Sequence, residues 1–305
     1  MQSLLRRPIT VIGSSNTDMV IKAPRIPGPG ETILGGTFFM NSGGKGANQA
    51  VATARLGGQV HFITALGEDV FGQKQLQAFK DDGINTDHIL IDKDQPSGIA
   101  LITVDDQGEN CIVVAPGANA ALLPAAIEKA TGVIAGSDII LVQLEIPMET
   151  VQKVLELATL HKKKVILNPA PAQKLSTQIL NGLYLITPNS TEASMLTGLL
   201  INNVTDCEKA AAILRTRGVQ QVVITLGSKG AYVSSDTFTG MVAAPEVTAV
   251  DSTGAGDTFN GAIAVALSQQ QSLHDAVVFA CKAAAISVTK AGAQSSIPYL
   301  HEIVS

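Results

Sequence analysis

The chain has 305 residues, 46% of them hydrophobic and only 15% charged, with a net charge of −5. That is enough apolar material for a sizeable core in one large domain or two modest ones. The acidic balance, the 4% aromatic content and the lack of Trp argue against a nucleic-acid partner.

The N-terminus, MQSLLRRPITVIG, carries two arginines but no long apolar segment or small-residue cleavage site. It reads as a short tail entering a first strand at 9–15. Residues 18–40 hold three prolines and strand-like pieces where a crossover helix is due. A helix is predicted over 46–56, stopped by Gly57-Gly58, then a strand over 60–66 and a helix over 72–82. Residues 97–115 read as a hairpin around DDQGE. Strands at 139–145, 164–170, 183–189 and 221–227 alternate with helices at 148–161, 191–197 and 206–217. Two more helices, 256–268 and 273–289, follow. Strands nearly continuous in Val, Ile and Leu, alternating with helices, predict an α/β fold with a mostly parallel sheet covered on both faces. Segments 18–40 and 97–115 are expected to form a small second sheet, a lid, the alternative being a decorated edge of the main sheet. No run of about eighteen apolar residues is present, so no membrane span is expected. Cys111, Cys207 and Cys281 are far apart, and the five histidines are scattered. They show no metal-ligand spacing and read as reduced thiols of a cytoplasmic protein.

Two glycine-rich stretches carry chemistry. In NSGGKGANQAVATARLG (41–57), Gly43 and Gly44 open a helix on which Lys45 and Asn48 share a face. That pair suits a polyhydroxyl or anionic ligand, or else the glycines serve packing alone. In DSTGAGDTFNGAIAVAL (251–267), Gly254, Ala255 and Gly256 precede a helical face, so unpaired N–H groups and the helix dipole make an anion site. Asp257 beside it is either a helix cap or a base that takes a proton from a nucleophile attacking the anion. Parallel strands present functional residues at their C-terminal ends. Asn16, Asp18, Glu145, Asn168, Asn189 and Glu192 stand there, on one edge. The Walker loop, the dinucleotide fingerprint and the protein-kinase signatures are all missing.

These stretches resemble the signatures of the ribokinase and phosphofructokinase-B family of sugar kinases. GGKGANQA resembles the first and DSTGAGDTFNG the second, while GSSNTD, VQLE, LNPAPA, TPNSTE, TLGSKG and KAGAQSSIP match the ribokinase branch in order and spacing. The resemblance spans nearly the whole chain. It implies a single Rossmann-like three-layer α/β/α domain over 1–305, with lid segments at about 18–40 and 97–115. It further implies ATP-dependent phosphorylation of the 5-hydroxyl of ribose. The alternatives are another acceptor, such as 2-deoxyribose, another sugar or a nucleoside, or a non-catalytic sugar-binding regulator.

By the same resemblance, Asn16, Asp18, Gly44, Lys45, Asn48 and Glu145 hold sugar hydroxyls. Asp257 is the base, and Gly254, Ala255 and Gly256 form the anion hole. Asn189 and Glu192 act on Mg²⁺ through its waters, and Thr225, Gly227, Ser228 and Gly230 touch the nucleotide. Cys281 stands near the adenine, where relatives carry His or another polar residue. Asp251, Thr253, Ser287, Lys290, Gly292 and Ser296 map to a K⁺ shell built mostly of carbonyls. A homodimer through the lid sheets is also implied.

Overall fold

In the computed structural model, which describes residues 7–304, the chain builds two principal sheets. The expected tail at residues 1–6 lies outside the described residues. Strand β1 (Ile9–Ile12) leads through Gly13 into β2 (Asn16–Lys22), and β3 (Thr37–Gly43) runs straight into helix α1 (Lys45–Arg55). Next come β4 (Val60–Ile63), β5 (Ala65–Gly67), α2 (Val70–Asp81), β6 (Leu90–Asp92), β7 (Gly98–Val104) and β8 (Asn110–Ala115). Two short helices, α3 (Pro124–Lys129) and α4 (Thr131–Gly136), precede β9 (Ile139–Val142). From there strands and helices alternate: α5 (Met148–Leu160), β10 (Lys164–Leu167), α6 (Thr177–Asn181), β11 (Leu185–Ile186), α7 (Ser190–Thr197), α8 (Val204–Thr216) and β12 (Gln221–Thr225). The hairpin β13 (Ala231–Ser234) and β14 (Thr239–Val242) follows, then α9 (Ala255–Ser268), α10 (Leu273–Ser287) and α11 (His301–Val304).

The main sheet has the order β14-β13-β12-β11-β10-β9-β1-β4. Six strands are parallel, and β13 and β14 close one edge antiparallel. The parallel strands are buried on both faces because their side chains alternate between two cores. Ile9, Val11, Phe62, Leu141 and Ile166 face one core with α1, α9 and α10. Ile12, Ile63, Val142, Leu167 and Ile224 face the other with α5 and α8. This is a three-layer α/β/α arrangement, as the sequence predicts.

The segments set aside at 18–40 and 97–115 supply β2, β3, β7 and β8, which pair in the order β3-β2-β7-β8. They form a second sheet rather than extending the first. The DDQGE turn closes around Asp105, whose carboxylate accepts from Gln107 N and Glu109 N. No helix among the described residues is long and apolar enough to cross a membrane.

Candidate active site

The C-terminal ends of β12, β11, β10, β9 and β1 lie side by side, so the residues that follow them line one edge of the sheet. Two helices begin at that edge. Helix α1 starts at Gly44, whose φ of 87° is left-handed. A Cβ there would lie 2.7 Å from Asn16 N, so glycine alone lets β3 turn into the helix beside β2. No side chain of α1 itself caps its start. Glu145 does so from the end of β9: Oε2 accepts from Lys45 N at 2.9 Å and from Ser14 Oγ at 2.5 Å. The expected sugar ligand Glu145 thus already neutralises one end of a helix dipole.

Helix α9 starts at Gly254, with φ 75°. Ala255, expected in the anion hole with its neighbours, has its N–H on Ser252 O at 3.2 Å. The N–H groups of Gly254, Gly256 and Asp257 donate to no backbone carbonyl among the described residues. The free donors therefore include Gly254 and Gly256 of the expected trio, with Asp257 in place of Ala255. Asp257 follows in the first turn, buried, and the two helix starts meet at its carboxylate. Asn48 Nδ2 donates to Oδ2 and Gln49 Nε2 to Oδ1, both at 2.9 Å. Among the described residues the Asp257 carboxylate accepts from Asn48 and Gln49 of α1 and from no N–H at the start of its own helix, so it does not cap α9 by hydrogen bonding.

Around Asp257 the structure gathers Asp18, Glu145, Glu192 and one ammonium, Lys45. Burial drives the Asp257 carboxyl up, against the lowering effect of Lys45, Asn48 and Gln49. Asp18 is pushed up to about 6 by burial, then by Glu145 and Asp257, with Lys45 opposing. Glu192 is raised mainly by burial. Burial alone would lower Lys45, but Asp257, Glu145, Glu192 and Asp18 outweigh it, and its pKa is raised. It stays charged.

Asn16 is held from behind. Its Oδ1 accepts from Asn119 Nδ2 at 2.8 Å and its carbonyl from Gln75 Nε2 at 2.7 Å. Gly43 leaves room for Asp18, since a Cβ there would meet the carboxylate at 2.2 Å.

Two cavities adjoin this cluster. One of about 140 Å³ is lined by Lys45, Asn189, Glu192, Thr225, Gly256 and Asp257, among others. Asn189 and Glu192 form a capping box at the start of α7: Asn189 Oδ1 accepts from Glu192 N, and Glu192 Oε2 from Asn189 N, both at 2.8 Å. A bridge between Asn189 and Thr225 joins this turn to the end of β12. The other cavity, of about 380 Å³, shares Thr225 and Gly256 with the first. Gly227, Ser228, Gly230 and Cys281 line it, so the expected nucleotide residues come together. Its remaining wall includes Val247, Ala249, Phe259, Ala284 and Val288. Burial pushes the Cys281 thiol up to about 11, leaving it a neutral wall group.

Of the six expected K⁺ residues, Ser287 ends α10 and the others fall on two loops tied together by Asp251. Its Oδ1 accepts from Thr253 N and Oγ1, and its Oδ2 from Gly292 N at 2.8 Å. These bonds outweigh burial and hold its carboxyl below the usual range. The carbonyls of Asp251, Thr253, Lys290 and Gly292 accept no hydrogen bond among the described residues. Ser287 is less available, its carbonyl accepting from Lys290 N at 3.1 Å. Ser296 directs its hydroxyl to Ala293 O at 2.8 Å. Lys290 Nζ is paired with Glu302 Oε1 at 2.5 Å.

Four residues of the site carry no sequence signal of their own: Gln49, Gln143, Asn119 and Thr187, which lines the smaller cavity and donates its hydroxyl to Asn260 Oδ1 at 2.6 Å. Gln49 and Gln143 lie within stretches quoted for the family, yet nothing local marks them as buried polar links.

Helix N–H groups without backbone partners, a buried carboxylate and an adjoining apolar cavity thus stand together at one edge of a mostly parallel α/β sheet. The chain belongs to the pfkB family of carbohydrate kinases, whose family model matches residues 6–300. It is similar to the ribokinase of Haemophilus influenzae, 45% identical over 298 residues, which cover 98% of this chain and 97% of that protein. It is also similar to the deoxyribokinase of Salmonella typhi, 36% identical over 96% of each. Among solved structures it resembles Arabidopsis thaliana ribokinase complexed with ribose and ATP, with a TM-score of 0.93 and 32% identity over 98% of both chains.

Proposed function

We propose that this protein transfers the γ-phosphoryl group of ATP to the 5-hydroxyl of D-ribose, giving ribose 5-phosphate and ADP. The observation that carries the reading is Asp257, a buried proton acceptor in the first turn of α9, beside the unpartnered N–H groups of Gly254 and Gly256. Asp257 takes the hydroxyl proton while the hydroxyl oxygen bonds to phosphorus and the bond to ADP breaks. The helix start receives the negative charge that develops on the phosphoryl oxygens. Such transfers rest on positioning and charge stabilisation more than on covalent chemistry.

Asn16, Asp18, Gly44, Lys45, Asn48 and Glu145 stand on the sugar side. Asn48 has a second duty there, since its amide already holds Asp257. Thr225, Gly227, Ser228 and Gly230 take the phosphates and ribose of the nucleotide, and the apolar wall with Cys281 takes the adenine. The sheet β3-β2-β7-β8 serves as the lid and, through its outer face, as the contact of a homodimer.

Four carboxylates stand around one lysine, so a polyphosphate would enter a site already rich in negative charge. That donor set fits a hydrated Mg²⁺ held by Asn189 and Glu192, which would neutralise the phosphates. The free carbonyls of Asp251, Thr253, Lys290 and Gly292 fit a K⁺ ion, which would keep the turn before α9 in shape.

The relatives named for ribose and the one named for deoxyribose leave two acceptors to separate. The test is ADP release with ribose, 2-deoxyribose and nucleosides, with K⁺ and then Na⁺. Ribose should give the highest kcat/KM, with K⁺ raising the rate. A 2-deoxyribose rate equal to or above that of ribose would transfer the assignment to the deoxy sugar. Asp257→Asn should lose about 10²- to 10⁴-fold in kcat while still binding sugar. Near-normal turnover in that variant would remove Asp257 from its role.

A further inference from the structure

The stretch GGKGANQA contains a residue that the transfer as described does not use. Gln49 on α1 is fully buried, although it is long and polar. A buried amide needs partners for its two donors and its acceptor, and Gln49 finds all of them within the site. Its Nε2 donates to Asp257 Oδ1 at 2.9 Å and to Asn168 Oδ1 at 3.0 Å, and its Oε1 accepts from Gln143 Nε2 at 2.5 Å. With Asn48 on Oδ2, both oxygens of Asp257 are held and the carboxylate plane cannot turn. The acceptors Asp257 Oδ1 and Asn168 Oδ1 require the donor end of the Gln49 amide, and Gln143, whose own Oε1 has no hydrogen-bond partner among the described residues, supplies the donor for Gln49 Oε1. The reverse orientation would set a carbonyl against a carboxylate. Gln143 fits only because Gly13 has no side chain, since a Cβ there would lie 2.0 Å from Gln143 Oε1.

We infer that Gln49 is the positioning residue of Asp257, and that Gln143 supports it by donating to its amide oxygen. The inference rests on Asp257 being the base of the proposed transfer. Asp257 must aim its free lone pair at the attacking hydroxyl in a cavity that also holds charge from Lys45 of α1, Glu145 after β9, Asp18 of β2 and Glu192 of α7. The Gln49 N–H favours the ionised carboxylate. Its loss therefore both loosens the base and makes it easier to protonate.

The test compares Gln49→Met, Gln143→Met and Asp257→Asn with the native enzyme, reading kcat, both KM values and the pH profile of kcat. In Gln49→Met, kcat should fall by on the order of 10- to 10²-fold, the scale of a misplacement of about 1 Å. KM for ribose and for ATP should change by less than about threefold. The acid limb of the profile should move up by about one pH unit, the equivalent of one lost charge-assisted hydrogen bond. Gln143→Met should show the same signature, weaker. A Gln49→Met enzyme with native kcat and acid limb, beside an inactive Asp257→Asn, would overturn this inference alone. Near-normal turnover in Asp257→Asn would overturn the base assignment, and this inference with it. A drop in kcat with an unmoved acid limb assigns Gln49 to packing and overturns the proposal. If Gln49→Met does not fold, Gln143→Met decides. If neither folds, both glutamines serve folding and the proposal falls.

Discussion

Asp18 has two demands made of it. Burial and the neighbouring Glu145 and Asp257 lift its carboxyl from 3.8 to about 6, yet hydroxyl recognition needs it ionised. Between those two values the folded protein holds a proton that the unfolded chain has released, so stability falls as pH rises through about 6. Asp18→Asn removes that ionisation. Thermal melts should show the variant stabilised at about pH 8 and little changed at about pH 4, with a gain of order 1–3 kcal/mol at the higher pH. Activity should move the opposite way. In the native enzyme kcat/KM for ribose should rise through about pH 6, and in the variant it should be low and lack that step. A variant destabilised at pH 8 would contradict the burial argument. Asp257, Lys45 and the glycines were readable because a tight turn into a helix leaves a local mark on sequence. Asn119 was not, since it bonds Ser15 and Asn16 from more than a hundred positions away, and a lone Asn inside the short 3₁₀ turn Gly117–Ala121 has no pattern to betray it. Gln49 and Gln143 escaped for the same reason.

The two helices that meet at Asp257 also cross closely. Gly261 sits inside α9, where glycine is about 1 kcal/mol worse than alanine on propensity alone. The packing explains it: a Cβ at Gly261 would lie 2.6 Å from Ala52 Cβ and 2.9 Å from Thr53 N of α1. Gly261→Ala should destabilise the fold by about 1–3 kcal/mol despite the better propensity. It should also lower kcat, because pushing α1 from α9 separates Asn48 and Gln49 from the carboxylate. Urea titration together with steady-state kinetics reads both, and a more stable, fully active variant would refute the crossing argument. The long helices and the Val-, Ile- and Leu-rich strands were legible because their periodicity persists over whole elements. Strand 183–189 shrinks to Leu185–Ile186, and 60–66 divides into β4 and β5, since an apolar run alone does not fix where pairing stops. β13 and β14 went unread because Ser, Thr and Gly interrupt a four-residue alternation. Helices α3 and α4, six residues each, are too short for a helical period to emerge.

At the scale of the whole molecule, the second sheet presents an apolar face away from the site. Asp18 shares its face with Asn41 and Ala100, its register partners. The opposite face carries Ile21 across from Phe38, Met19 across from Met40 and from Leu101, and Leu101 across from Val113. Ile21, Phe38, Met40, Leu101 and Val113 are 44–64% exposed, a contiguous patch of the kind that marks an interface. The proposed homodimer covers it with the same face of a second copy, as two-fold symmetry permits. A stable contact needs about 800 Å² per partner. Leu101→Asp combined with Val113→Asp would oppose like charges across the two-fold contact and leave carboxylates without partners, each change aimed outward and not at Asp18. Sedimentation should show a dimer for the native chain and a monomer for the variant. The kinetic consequence follows from β2, an inner strand of this sheet that also carries Asn16 and Asp18. Without a partner to steady the sheet, KM for ribose should rise by on the order of tenfold while KM for ATP stays nearly constant, because the nucleotide cavity belongs to the main sheet and to α9 and α10. A native monomer would end the dimer proposal. A monomeric variant with an unchanged KM for ribose would instead show that the sheet holds Asp18 in place unaided.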